Sequence, residues 1–118
     1  MSMEKNIEVS LLLDFYGELL KQSGRKVIEL YYNEDLSLSE IADQIGITRQ
    51  GVRDSIKRCE QQLFDFEKKL GLFKRFGELE KGLDEIAATA EKIQTNSQDN
   101  NIKQLAQDII RTAGTLKE

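Results

Sequence analysis

Apolar residues recur at steps of three and four along most of this chain, which is the spacing that lines one face of an α-helix. The sequence contains no proline, and charged residues make up 32% of it, a composition that suits solvated helices better than sheets with tight turns. We therefore predict an all-α fold. A length of 118 residues is enough for one compact core with a helical appendage.

Capping residues and glycine mark the predicted helix boundaries. The first helix is predicted over residues 4–21, and Ser23 is the expected N-cap of the second. In segment 37–40 a serine is followed three residues later by a glutamate, a capping-box pattern that predicts the start of a third helix. Gly46 should end that helix, because glycine adopts a left-handed turn conformation at little cost. Thr48 is then the expected N-cap of a fourth helix.

Segment 37–58 is predicted to form a helix-turn-helix, in which two helices cross at a steep angle around a short turn. Such a crossing requires a small residue where the helices meet, a turn residue without a β-carbon, and apolar residues behind them. Ala42, Gly46 and Val52 supply these residue types. The predicted apolar backing is completed by Ile41, Ile45, Ile47 and Ile56.

The rest of the chain is predicted to be a long helical extension. The apolar rhythm shifts over residues 71–77, where two glycines predict a hinge before a fifth helix. Polar residues 95–101 predict a loop, and residues 102–116 predict a last amphipathic helix. We assign residues 1–62 to the helix-turn-helix domain and residues 63–118 to the extension, with a role in dimerisation or partner binding.

A heptad-like apolar stripe runs through this extension and is longer than a small core readily covers. Two interpretations remain open: a second copy of the chain binds the stripe, or the last helix folds back and covers it. The stripe consists of Leu63, Phe66, Leu70, Phe73, Leu79, Leu83, Ile86 and Ile93.

The residue types that build most catalytic and metal sites are scarce. Histidine is absent, and the lone Cys59 can form neither an internal disulfide nor a cysteine-rich zinc site. The longest apolar run, Leu11–Leu13, is far shorter than the roughly 20 residues of a membrane-spanning helix. We therefore expect a cytoplasmic protein that is not an enzyme and that uses no cofactor or metal.

Helical geometry turns one face of the fourth helix outward, where it can meet the major groove of a nucleic acid. Arginine pairs bidentately with guanine and glutamine with adenine, while the amides at a helix start can hold a phosphate. Over residues 48–58 four basic side chains stand against one acidic side chain, although the whole chain has a net charge of −4. The predicted nucleic-acid-binding residues are Thr48, Arg49, Gln50, Arg53, Asp54, Lys57 and Arg58.

Two alternatives to this interpretation follow from the residues themselves. The basic side chains could be a solvated helix face, or the helices could contact a protein instead of a nucleic acid. Further basic residues near the second helix are candidates for contacts with flanking phosphates: Lys21, Arg25 and Lys26.

A resemblance to a known family lies in three segments, 29–32, 35–42 and 48–58, which read ELYY, DLSLSEIA and TRQGVRDSIKR. They resemble the YlxM-type proteins, small DNA-binding proteins of Gram-positive bacteria. Genes of that family typically lie beside those of the signal recognition particle and its receptor, so the resemblance implies a part in protein targeting. The same stretch is similar, more distantly, to region four of bacterial sigma factors, from whose pattern Gly51 and Asp54 depart.

Two hypotheses of function result. In the first, the protein is a dimeric transcriptional regulator or accessory protein that binds double-stranded DNA. In the second, it is an interaction module that contacts RNA or protein components of the signal recognition particle through its helical extension.

Overall fold

The computed structural model describes residues 5–118, and within this range the chain forms six α-helices and no strand. The all-α prediction is confirmed. A 3-10 segment, Gly17–Leu19, follows the first helix. The helices are α1 (Ile7–Tyr16), α2 (Gln22–Tyr32), α3 (Leu38–Ile45), α4 (Arg49–Leu70), α5 (Leu72–Asn96) and α6 (Asn100–Leu116). None of the helices in this range is long and apolar enough to cross a membrane.

The chain divides into two compact units, one ending at Phe73 and the other comprising Lys74–Glu118. The division lies later than the boundary that the sequence suggested at residue 62. The reason is that Leu63 is fully buried in the core of the first unit, and Phe66 and Phe73 pack against the same core.

In the first unit, α1, α2 and α3 all pack against α4. Its buried residues form two clusters, one from α1, α2 and α4 and the other from α2, α3 and α4, and these clusters meet at α2. Gly24 lets α2 approach α4 closely, since a β-carbon there would lie 2.7 Å from the Sγ atom of Cys59. This packing fixes the helix that carries the predicted nucleic-acid-binding residues.

The start of α2 differs from the prediction. The helix begins at Gln22 with Lys21 as its N-cap, so Ser23 lies inside it and caps nothing. Leu20 explains the shift, because this residue is extended and buried, and its burial sets the direction from which the chain enters the helix.

The junction between α4 and α5 is a single left-handed glycine, Gly71, with φ of 62°. Two buried or half-buried acceptors satisfy the first amides of α5: the Tyr16 hydroxyl accepts from the Leu72 amide at 3.0 Å, and the Glu67 carboxylate accepts from the Phe73 amide at 3.0 Å. The Tyr16 hydroxyl in turn donates to the Glu67 carboxylate at 2.6 Å. Burial is the main reason why the pKa of Tyr16 is raised, and the hydrogen bond to Glu67 raises the pKa further. Position 77, the other half of the predicted hinge, lies within α5, so that part of the prediction is wrong.

In the second unit, α5 and α6 form an antiparallel hairpin. Gln94 contacts Gln107 near the connection, and Lys117 pairs with Asp84 at the far end. The predicted loop over residues 95–101 is much shorter, because α5 continues to residue 96 and α6 begins at residue 100. The Asp99 carboxylate accepts from two amides at the start of α6, which lets that helix begin within the polar segment.

Candidate nucleic-acid interface

The turn between α3 and α4 consists of three residues, of which Gly46 and Thr48 have defined backbone roles. Gly46 adopts the left-handed conformation with φ of 84°, and its amide donates to the Ala42 carbonyl at 2.9 Å. The Thr48 hydroxyl accepts from the Gly51 amide at 3.0 Å and so caps α4. Before the turn, Ser37 and Glu40 form the predicted capping box. These predicted helix ends are confirmed.

The crossing of α3 and α4 is built from small and branched side chains. Ile41, Val52 and Ile56 are fully buried, and Ala42 is buried beside them. Ile47 was expected among this apolar backing, but its side chain is 42% exposed, so that expectation is wrong. It lies instead over the first turn of α4, where a β-carbon on Gly51 would be 3.6 Å from its Cδ1 atom.

Three exposed side chains, Gln50, Asp54 and Lys57, follow one another along α4 at steps of four and three. Helical geometry places such residues in one row, on the side of α4 away from the buried row of Val52 and Ile56. Arg49 and Arg53 form the neighbouring row. The outward placement expected from the sequence therefore holds for this set, with one difference: Arg53 is half-buried.

Gln50 and Asp54 are joined across one helical turn, since the Gln50 amide nitrogen donates to the Asp54 carboxylate at 2.9 Å. A glutamine amide has two N–H groups and a carbonyl oxygen. One N–H and the oxygen of Gln50 therefore stay available for the bidentate contact that glutamine makes with adenine. Asp54 orients Gln50 and adds an acceptor to the row. This hydrogen bond between the two side chains is not revealed by the sequence alone.

Arg58 lies at the edge of this surface and faces α2. With Lys21 and Ser23 it lines a groove of 250 Å³, and Cys59 lies among the other lining residues. The two cations and the hydroxyl suit a phosphate group. Burial raises the pKa of the Cys59 thiol, so this side chain acts as an apolar lining residue.

The remaining basic candidates differ in their surroundings. Arg25 pairs with Glu29 at 2.6 Å within α2, whereas Lys26 is exposed. Within residues 5–118 there is no group of three or more acidic or cysteine side chains that could hold a metal ion.

Sequence reasoning missed a contact that holds α2 against α4. The hydroxyl of the half-buried Tyr32 donates to the Glu60 carboxylate. Burial and this hydrogen bond raise the pKa of Tyr32. No periodicity or spacing signals such a pair, because its members lie 28 residues apart.

A capped three-residue turn between two crossed helices, with polar and basic side chains outward on the second, is the geometry of the helix-turn-helix proteins. Residues 3–108 match the model of the family UPF0122, described as "Putative helix-turn-helix protein, YlxM / p13 like". This chain belongs to that family, as its resemblance to the YlxM-type proteins predicted.

Relatives of similar length occur in several bacteria. A UPF0122 protein of Clostridium novyi is 40% identical over 110 residues, which cover 93% of this chain and 96% of the relative. A UPF0122 protein of a Thermoanaerobacter species is 44% identical over 103 residues, which cover 87% of this chain and 88% of the relative. A UPF0122 protein of Desulforamulus reducens is 49% identical over 84 residues, which cover 71% and 72% respectively.

Proposed function

We propose that this protein binds double-stranded DNA through α4 and acts in the cytoplasm as a homodimeric regulator or accessory protein, without catalysis. The observation that carries the proposal is the exposed face of α4, the capped second helix of the helix-turn-helix. Over residues 48–58 this face has four basic side chains and one acidic side chain, although the chain as a whole is acidic. Because salt screens charges more than about 8 Å away, a duplex next to α4 interacts with this local positive charge more strongly than with the net charge of −4.

The proposed contacts divide into two kinds. Arg49, Gln50, Arg53 and Asp54 face base edges in the major groove, where arginine reads guanine, glutamine reads adenine, and a carboxylate accepts from cytosine. Phosphates are held by Thr48, Lys57 and Arg58 together with the amides of Arg49 and Gln50, which have no intrahelical acceptor, whereas the Gly51 amide donates to Thr48.

The test is duplex binding by intact protein as a function of salt concentration. In one variant Arg49→Ala and Arg53→Ala remove two cations from the first turns of α4. In the matched control Lys68→Ala and Lys69→Ala remove two exposed cations from the last turn of the same helix. Both variants have the same net charge and the same number of alanines. A difference between their affinities for the duplex therefore reports only where on α4 the cations were removed.

We expect the arginine variant to bind at least about tenfold more weakly and with a flatter salt dependence, while the lysine control stays close to wild type. Equal losses in the two variants, or wild-type binding by the arginine variant, would contradict the proposal. The duplex comes from a selection on a random pool, repeated against structured RNA.

A second candidate function is the one that the family resemblance implies, an interaction module in the signal recognition particle pathway. It is supported by large aliphatic side chains that the second unit leaves exposed, such as Leu79 and Ile102. Particle components should then co-purify with both the wild type and the Arg49→Ala/Arg53→Ala variant. Loss of co-purification in that variant would argue against a separate interaction module.

A further inference from the structure

In the second unit, α5 and α6 pack together mainly through small side chains. Ala90, Ala106 and Ala113 are only 2–3% exposed, and Leu83 is the one large aliphatic side chain among the buried residues there. The larger aliphatic side chains of both helices are consequently left outside this contact.

These larger side chains lie together on one side of the hairpin. One groove of 610 Å³ is lined by residues of both helices, and a second groove of 320 Å³ shares two of those residues, so the two are continuous. The side chains concerned are 43–62% exposed. We call this surface the aliphatic face; it consists of Ile86, Ile93, Leu105, Ile109 and Leu116.

The spacing along both helices explains why a hairpin alone leaves this face open. Apolar residues in α5 follow steps of four and three from Leu79 to Ile93, and those in α6 follow similar steps from Ile102 to Leu116. On a helical projection, the alanines occupy one edge of each stripe and the large aliphatics occupy the other. A stripe with two such edges is typical of a helix that has two helical neighbours, as in a four-helix bundle.

We propose that the aliphatic face is the docking surface for a second copy of this chain, so that two α5–α6 hairpins form an intermolecular four-helix bundle. A two-fold axis brings the same apolar patch of each copy against itself. Two acidic side chains, Glu85 and Asp108, also line the grooves, and Asp108 pairs with Arg111. Residues 74–118 carry seven basic and eight acidic side chains, so two copies of this unit repel each other little.

The aliphatic face by itself is smaller than a standard protein–protein interface. A fully exposed aliphatic side chain offers roughly 60–120 Å² of apolar surface, so five that are about half exposed offer roughly 150–300 Å² per copy. Standard interfaces bury about 800 Å² per partner, of which apolar side chains form the centre and polar side chains the rim. The aliphatic face can therefore supply only the centre of the interface, and the polar side chains around it would form the rim. We expect a dimer that dissociates on dilution.

The test is the mass of the full chain in solution, measured by sedimentation equilibrium from low micromolar to several hundred micromolar concentration. Leu105→Glu places a carboxylate on the aliphatic face at a position that is 62% exposed in one chain, so the hairpin itself should tolerate it. The matched control is Leu19→Glu, which makes the same change at a 58% exposed leucine of the first unit. Far-UV circular dichroism checks that both variants keep their helices.

We expect the wild type and the control to reach the mass of two chains. Leu105→Glu should raise the dissociation constant at least about a hundredfold, because two-fold symmetry brings two unpaired carboxylates into the interface. A wild type that remains a single chain at the highest concentration would overturn the proposal, and so would a Leu105→Glu variant that still dimerises.

This inference rests on the proposed homodimer and is independent of DNA binding. The Arg49→Ala/Arg53→Ala variant should therefore keep the dimer mass, and Leu105→Glu should keep salt-dependent binding to a single half-site. Failure of one proposal can then be recognised while the other stands.

Discussion

Replacing Tyr16 with phenylalanine removes one hydroxyl from a site that is 1% exposed, at the point where α4 gives way to α5. That hydroxyl donates to the Glu67 carboxylate at 2.6 Å and accepts from the Leu72 amide at 3.0 Å. The ring and its packing stay, so the change isolates the two hydrogen bonds.

The expected cost follows from the two partners that are left behind. A hydrogen bond to a charged acceptor contributes about 1.5–3 kcal/mol, and an unsatisfied buried amide costs about 1–3 kcal/mol. Because Glu67 keeps its bond from the Phe73 amide, the two costs do not add fully. We expect Tyr16→Phe to lower the free energy of unfolding of the first unit by about 2–4 kcal/mol.

Urea unfolding followed by tyrosine fluorescence measures this loss. The three tyrosines of the chain all lie in the first unit, so the signal reports that unit. With a slope of about 1–3 kcal/mol per molar urea, the urea concentration at the midpoint should fall by at least about 0.7 M.

Tyr32→Phe is the matched control, since it removes a hydroxyl that donates to Glu60 from a half-buried position. Water can hydrate Glu60 after the change, so the expected loss is about 0.5–1.5 kcal/mol. Equal losses at the two positions would refute the reasoning that burial at the α4–α5 junction sets the cost.

Three further outcomes concern the second unit and the Cys59 thiol. Asp99→Ala should lower the stability of the α5–α6 hairpin by about 1 kcal/mol, because it removes the N-cap of α6, while the tyrosine signal of the first unit stays unchanged. Burial raises the pKa of Cys59 above its ordinary value of 9.0, so the folded chain holds a proton that the unfolded chain releases. The free energy of unfolding should therefore be unaffected by this group below pH 9 and fall as pH rises above it, a decline that Cys59→Ala weakens. A thiol reagent at neutral pH should modify Cys59 only as fast as the first unit opens.

Features decided by neighbours in sequence were predictable. The capping box at Ser37, the left-handed Gly46 and the N-cap at Thr48 depend on bonds within four residues, and all three are present in the structure. Such local bonds form wherever the chain permits a helix to start or stop. These local bonds determine the turn of the helix-turn-helix independently of how the helices pack.

Features decided by packing were not predictable in the same way. Ser23 has the residue type of an N-cap, but buried Leu20 makes the helix begin earlier. Gly71 and Gly77 are equally good candidates for a helix break in the sequence. The break occurs at Gly71, where the amides of the next two residues donate to acceptors in α1 and α4. The polar residues near position 97 lie mostly at helix ends, where composition cannot distinguish a cap from a loop.

The candidate site likewise combines features that local sequence decides with features that helix packing decides. The exposure of Arg49, Gln50 and Lys57 follows from helical periodicity once Val52 is placed inward. The groove that joins Arg58 to Lys21 depends instead on how α2 packs against α4, which no pattern in either segment records.

The most direct test of the DNA-binding proposal is to map backbone amide chemical shifts by NMR while a selected duplex is added to the isotope-labelled chain. We expect the largest chemical-shift changes at residues 48–58 and smaller changes near Lys21 and Lys26 at the start of α2. Changes confined to residues 74–118, or no change at Arg49 and Arg53 at saturating duplex, would contradict it.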